Sequence, residues 1–410
     1  MNAKDIEILR RLGGTYAAIC ASPANAANRK LITDLNSLRA EQPAVFADPE
    51  GAWSEILPVA SLECEDPLAR EWERKLKAHI YSAEVIKDDS AFEPIVKIPW
   101  RVKQDDFGFT INYQYGENRG SNHWDAPIKD LEQGLKDIKP RQYSVDKARA
   151  YAELETAKKV FAGILDARIR DVNFWSMGLT RECIRLIGLQ ELMLYMYDQP
   201  DNLKALMAFL RDEHLRYLQW LEDNGLLCLN NEDDYIGSGG CGYTRELPGA
   251  DYRPGMPVRP RHLWVLSESQ ETVGVSPEMF EEFILEYQAA ITDRFGLVYY
   301  GCCEGLHERI DSISKRMKNL RQVSVSPWCD QKIIAEKLGK NVVFARKPNP
   351  ATICVSFNEE AIRKDIRDTL EAFRGLQVQV RMKDTHTVQN DMKRIPRWVQ
   401  ITREEINAFS

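Results

Sequence analysis

Residues 297–304 read Leu-Val-Tyr-Tyr-Gly-Cys-Cys-Glu. An apolar run this short, ended by glycine, has the length of a buried strand and not of a helix. The residues beyond it, up to about 319, suit a helix, and then the same unit recurs. Residues 322–326 read as a strand, followed by a helix over 331–338 with Gly339 at its end. Residues 341–345 read as a strand before a helix over 359–373, with Gly375 beyond. Residues 377–382 read as a strand, and the tail over 397–409 is helical. Strands alternating with helices imply βαβ units and a parallel sheet.

Upstream, helices are expected over 145–162, 180–197 and 202–224, with short apolar runs at 172–177, 226–229 and 262–266. Ser276-Pro277-Glu278 is a helix start: serine caps, proline suits the first turn, and glutamate complements the dipole. With 95–100 as the first strand the total is eight, which predicts an α/β fold of the (β/α)8 TIM-barrel kind over 91–410. Residues 1–90 are expected to form an N-terminal helical extension with one short apolar stretch at 43–47. Gly237-Ser238-Gly239-Gly240 has no strand-then-helix context, so it is no dinucleotide-binding turn. The segment 105–144 places Tyr113, Tyr115 and Trp124 among Gly116, Gly120 and Asn122. It is either an active-site loop or a surface excursion.

Composition narrows the function classes. The chain has 410 residues, 44% of them hydrophobic, enough for a large core. A net charge of −7 argues against nucleic-acid binding, which needs a basic face. No apolar run is long enough to span a membrane, and residues 1–20 lack the compact apolar core of a signal peptide. A cytoplasmic location is therefore expected. The 9 cysteines form no CxxC pair, which excludes thioredoxin-like chemistry and leaves reduced core thiols as the ordinary reading.

Polar residues at the C-terminal ends of barrel strands carry the chemistry of such folds. Here those ends hold Glu232, Asp233 and Tyr235; Glu268; Cys302, Cys303 and Glu304; Trp328; Arg346 and Lys347; Asp384 and His386. Each could be the solvated first turn of a helix; together they describe a polar mouth. Neighbouring strand residues face opposite ways, so only one of Cys302 and Cys303 is expected to face the axis. A thiolate there, with His386 and carboxylates, has the donor types of a zinc site. Two buried cysteines acting as small hydrophobes are the alternative. Arg346 and Lys347 are candidate anion holders or structural ion-pair partners.

Tyr299-Tyr300-Gly301-Cys302-Cys303-Glu304, Ser324-Val325-Ser326-Pro327-Trp328, Arg346-Lys347-Pro348-Asn349-Pro350 and Lys383-Asp384-Thr385-His386-Thr387 resemble the uroporphyrinogen decarboxylase superfamily. Leu229 to Tyr235 fits the same group. The resemblance implies a (β/α)8 barrel. It also implies one of two activities: cofactor-free decarboxylation, or zinc-assisted methyl transfer involving a corrinoid. The decarboxylases' N-terminal Arg-Gln-Ala-Gly-Arg-Tyr signature has no counterpart, since Trp100-Arg101 does not match it. The methyltransferase branch's His-x-Cys maps onto Gly301-Cys302-Cys303, with glycine in place of histidine. At the eighth strand this chain has Asp384, Thr385 and His386 and no cysteine.

The resemblance leads to an expected methyltransferase moving a methyl group between a small methylated donor and a corrinoid, presented by a partner protein or free. Cys303, Glu304 and His386 would hold zinc. Glu232, Asp233, Glu304 and Asp384 would be catalytic. Trp100, Arg101, Tyr235, Trp328, Arg346 and Lys347 would bind substrate. A second copy of the chain is a further candidate partner. The alternatives are a metal-free decarboxylase or lyase using Arg346, Lys347 and Arg101, and a non-catalytic corrinoid- or tetrapyrrole-binding protein.

Overall fold

The computed structural model describes residues 1–115, 122–172, 174 and 176–409. Gly116, Gly120 and the side chains of Tyr115 and Asn122 lie outside the described residues, as do residues 173 and 175 of the apolar run at 172–177. Eight short strands in the described chain build the architecture. They are β1 (Ala44–Ala47), β2 (Ile95–Ile98), β3 (Asp166–Ile169), β4 (Trp264–Ser267), β5 (Leu297–Tyr300), β6 (Leu320–Val325), β7 (Val343–Arg346) and β8 (Gln377–Met382). Six form one sheet in the order β1-β8-β7-β6-β5-β4, and every pairing is parallel. β2 and β3 form a separate parallel pair.

The described residues hold eight parallel strands besides two short antiparallel pairs, Val102–Gln104 with Tyr143–Val145 and Tyr113–Tyr115 with Asn122–Trp124, and the membership of the eight differs from the sequence expectation. The short apolar stretch at 43–47, assigned above to a helical extension, is β1, in register with β8 from Ala44↔Gln379 to Ala47↔Met382. The run at 226–229 forms no strand. It lies between β3 and β4, where Asn230 bonds both the N–H and the C=O of Trp264 through its side-chain amide. The third strand lies at Asp166–Ile169, and the described residues of 172–177 are in no strand. A periodicity argument counts apolar runs; backbone pairing decides which become strands.

Among the described residues the ring of strand hydrogen bonds is not closed, so the fold is a TIM-barrel-like α/β arrangement. Side chains and single contacts bridge the two gaps. Beside β1, Asp88 and Asp89 accept hydrogen bonds from the N–H groups of Ala47 and Val45. Beside β4, Met177 N–H bonds Leu266 C=O at 2.9 Å.

Period-two alternation sorts the strand residues. In β8, Val378, Val380 and Met382 join the apolar clusters packed against the outer helices. Gln379 and Arg381 point the other way, to Gln322 and Asp48. The same alternation directs Tyr299, Leu266 and Ala345 into one small inner cluster. The outer helices bury their own apolar stripes. Ala3–Cys20 and Pro67–Tyr81 pack Leu9, Tyr16 and Trp72 against Ile98 and Phe161. The helix expected over 180–197 is two, Thr180–Ile187 and Leu189–Asp198, parted at Gly188. No described helix is long and apolar enough to cross a membrane.

Candidate active site

The C-terminal strand ends converge as expected, but around Cys302 and not Cys303. β5 stops at Tyr300, and Gly301 turns the chain with φ +95°, a conformation that favours glycine. A Cβ at Gly301 would also meet Leu306 Cδ1 at 2.6 Å. Strand alternation therefore ceases before the cysteines. Cys302 turns inward and is buried, and Cys303 is exposed.

Cys302 Sγ lies 3.1 Å from Ser238 Oγ and 3.5 Å from Cys303 Sγ. Lys347 Nζ donates to Ser238 Oγ at 2.5 Å and to the Cys302 carbonyl at 2.9 Å. An ammonium has only donors, so Ser238 Oγ accepts from Lys347 and its own proton is free to point at sulfur. The Cys303 thiol hydrogen bond and the Lys347 charge outweigh burial and bring the Cys302 thiol down to about 7. The shared hydrogen bond and burial push Cys303 the other way. Burial lowers Lys347 below the ordinary lysine range, against the pull of Cys302. The result is a buried thiolate–ammonium pair with serine between them, an arrangement suited to nucleophilic chemistry.

Ser238 reaches this position on the loop dismissed above as a dinucleotide turn. The loop dips into the mouth, where Ser238 C=O accepts the Tyr299 hydroxyl at 3.0 Å. A Cβ on Gly237 would stand 2.4 Å from the Tyr299 ring, so this approach requires glycine. Next to it, Lys383 bonds the Tyr235 hydroxyl at 2.9 Å and pairs with Glu50. Arg381 pairs with Asp48 at 3.0 Å.

A second group of carboxylates lies behind Cys302. Glu304 accepts from the backbone N–H of Cys302 at 2.7 Å and of Ser269 at 2.9 Å. Glu268 is fully buried; burial, then the charges of Glu271 and Glu304, raise it well above the usual carboxylate range.

The remaining expected site residues scatter. Asp233 pairs with Lys97 at 2.6 Å, and Glu232 with Arg170 at 2.7 Å. Asp234 binds both cations; burial alone would raise its pKa, but Arg170 and Lys97 bring it down. Asp384 offers its N–H to Glu50. Trp100 is buried in the main core, edge-on to Tyr151. Arg101 is committed to Glu71 and Glu153 on outer helices. Arg346 is turned outward to Asp365 and Thr369. Trp328 is 72% exposed. Of the anion holders named from sequence, Lys347 alone faces the mouth, because Arg346 and Lys347 are neighbours and face opposite ways.

The residues expected to hold zinc do not assemble. Among the described residues no group of three or more His, Cys, Asp and Glu side chains is placed to bind a metal. Glu304 spends its oxygens on backbone N–H groups, and His386 is exposed. A cavity walled in part by Trp264, Leu266, Ile236 and Tyr235 has about 320 Å³, room for a small molecule at the low end of ligand pockets.

Fold and site together define a TIM-barrel-like α/β protein with a buried cysteine–lysine pair at the strand ends. A solved methyltransferase from Methanosarcina mazei has a similar fold, with a TM-score of 0.52 over 92% of this chain and 97% of that one, at 12% identity. No family model and no curated protein matches the sequence.

Proposed function

We propose that this chain is an enzyme of the methyltransferase type in which Cys302 accepts a methyl group from a small methylated donor. The observation that carries the reading is the Cys302–Ser238–Lys347 arrangement at the end of β5. The methyltransferase with a similar fold supports it. So does a neighbouring cavity of small-molecule size.

In the proposed step the Cys302 thiolate attacks the methyl carbon. A sulfur–carbon bond forms, and the bond from carbon to the donor heteroatom breaks. The electron pair stays on the heteroatom; a thiolate or amine leaving group takes a proton from Lys347, and a sulfonium donor leaves as a neutral thioether that needs none. A lysine whose pKa is lowered by burial is a better acid for this transfer than a solvated one. Ser238 holds the sulfur and the ammonium in register, which lowers the entropic cost of the encounter. Neither zinc nor a corrinoid enters this step.

Mass spectrometry of the protein after incubation with isotopically labelled methylated amines, thioethers and sulfonium compounds tests the proposal. Label is expected on the peptide carrying Cys302, retained in Cys303→Ser and lost in Cys302→Ser. Label on Cys303 alone, or on neither cysteine with every donor, overturns it.

A further inference from the structure

A second cavity, of about 260 Å³, is lined in part by Glu268. Arg141, Arg181 and Arg185 line it, with His214 and Ser176. Two polar atoms of its lining residues are unsatisfied among the described residues. Arg141 is 4% exposed, its guanidinium lies 4.4 Å over the Phe107 ring, and its Nε has no hydrogen-bond partner among the described residues. His214 is also 4% exposed; its Nδ1 contacts Met177 Sδ, and its Nε2 has no partner among the described residues. Leaving such groups buried and unbonded is unfavourable unless a ligand meets them. Arg185 is anchored by Asp106 and Tyr113. Arg181 is exposed and, among the described residues, has no ion pair.

We propose that this cavity binds a small carboxylate, with Arg181 and Arg141 supplying the charge that meets it. Burial and the charges of Glu271 and Glu304 raise Glu268 well above the usual carboxylate range, which lessens its repulsion of an anion. An ionised Glu268 would repel the ligand. Its Oε1 also accepts from Ser176 Oγ at 3.2 Å, which leaves the carboxyl facing the cavity wall that Ser176 shares. Glu182 also lines the cavity and contributes one negative charge. A guanidinium edge can meet a carboxylate with two parallel hydrogen bonds, and the Glu182 charge disfavours the second negative charge of a phosphate. The volume limits the ligand to a few carbons.

The assignment does not rest on the role proposed for Cys302, and its test separates the two. Calorimetry on the full chain would titrate acetate, succinate and inorganic phosphate into native protein, Arg181→Gln and Cys302→Ser. Succinate or acetate is expected to bind in preference to phosphate. Arg181→Gln is expected to weaken binding about tenfold, the worth of one charge-assisted hydrogen bond. Cys302→Ser should bind as the native protein does. Arg181 is exposed, so the variant should fold, and an unchanged thermal midpoint checks this. Absence of carboxylate binding, tighter binding of phosphate, or binding unaffected in Arg181→Gln would overturn the proposal.

Discussion

At the scale of single residues, the chemistry depends on which of two adjacent thiols ionises. Cys302 is held at about 7 by a donated thiol hydrogen bond from Cys303 and by the Lys347 charge. Alkylation by iodoacetamide follows the thiolate fraction, so its rate at Cys302 should rise with pH and reach half its limit near pH 7. In Lys347→Met the midpoint should move upward, toward the ordinary thiol value. Peptide mapping across a pH series measures this, and the same midpoint in both proteins would exclude Lys347 as a cause. Cys302 and Lys347 were both visible in the sequence as strand-end residues. Ser238 was passed over, although a short run of glycines around one serine is a sign of backbone brought close to something else.

At the scale of elements, the loop carrying Ser238 and strand β1 matter most. Gly237→Ala would press a methyl group against the Tyr299 ring and should cost about 1–3 kcal/mol. Urea denaturation would show the loss, and the loop should release Ser238, so Cys302 should alkylate faster at high pH. Unchanged stability would mean that the loop has room to withdraw. In β1, Phe46 is buried 4.0 Å under the Arg381 guanidinium. Phe46→Ala should cost about 3–5 kcal/mol, read from the same urea curves. A cost under about 1 kcal/mol would show that β1 contributes little to the sheet. Four residues set among helices carry a weak local signal, which is why the stretch at 43–47 reads as incidental. Arg381 and Lys383 were overlooked for a related reason. They face the mouth opposite Asp48 and Glu50, and those partners lie just beyond the strand that went uncounted.

At the scale of the whole molecule, stability should weaken on the acid side. His214 is buried, and burial pushes its pKa down from 6.5 to about 4. The folded value lies below the unfolded one, so the unfolded chain binds more protons as pH drops below 6.5. The stabilising effect is therefore complete above pH 6.5 and is lost as pH falls through about 4, amounting to about 3 kcal/mol at most. Urea midpoints between pH 7 and pH 4 should fall less steeply in His214→Gln than in the native protein. Parallel curves would assign the acid sensitivity to other groups.

Local periodicity by itself determined the alternation of strand and helix from residue 297 to the C-terminal helix, the parallel sheet, and the polar strand ends that form the mouth. Each of those features is written within a few consecutive residues, where side-chain spacing alone decides which face is apolar. Tertiary structure decided that Ala44–Ala47 pairs with β8, that Gly301 turns Cys302 inward, and that Ser238 meets both Lys347 and Cys302. It also committed Glu304 to the backbone N–H groups of Cys302 and Ser269 and sent Arg346 outward to Asp365. Those outcomes depend on contacts between distant parts of the chain. Their register is set by packing and hydrogen bonding across the sheet, and no spacing within one segment specifies it.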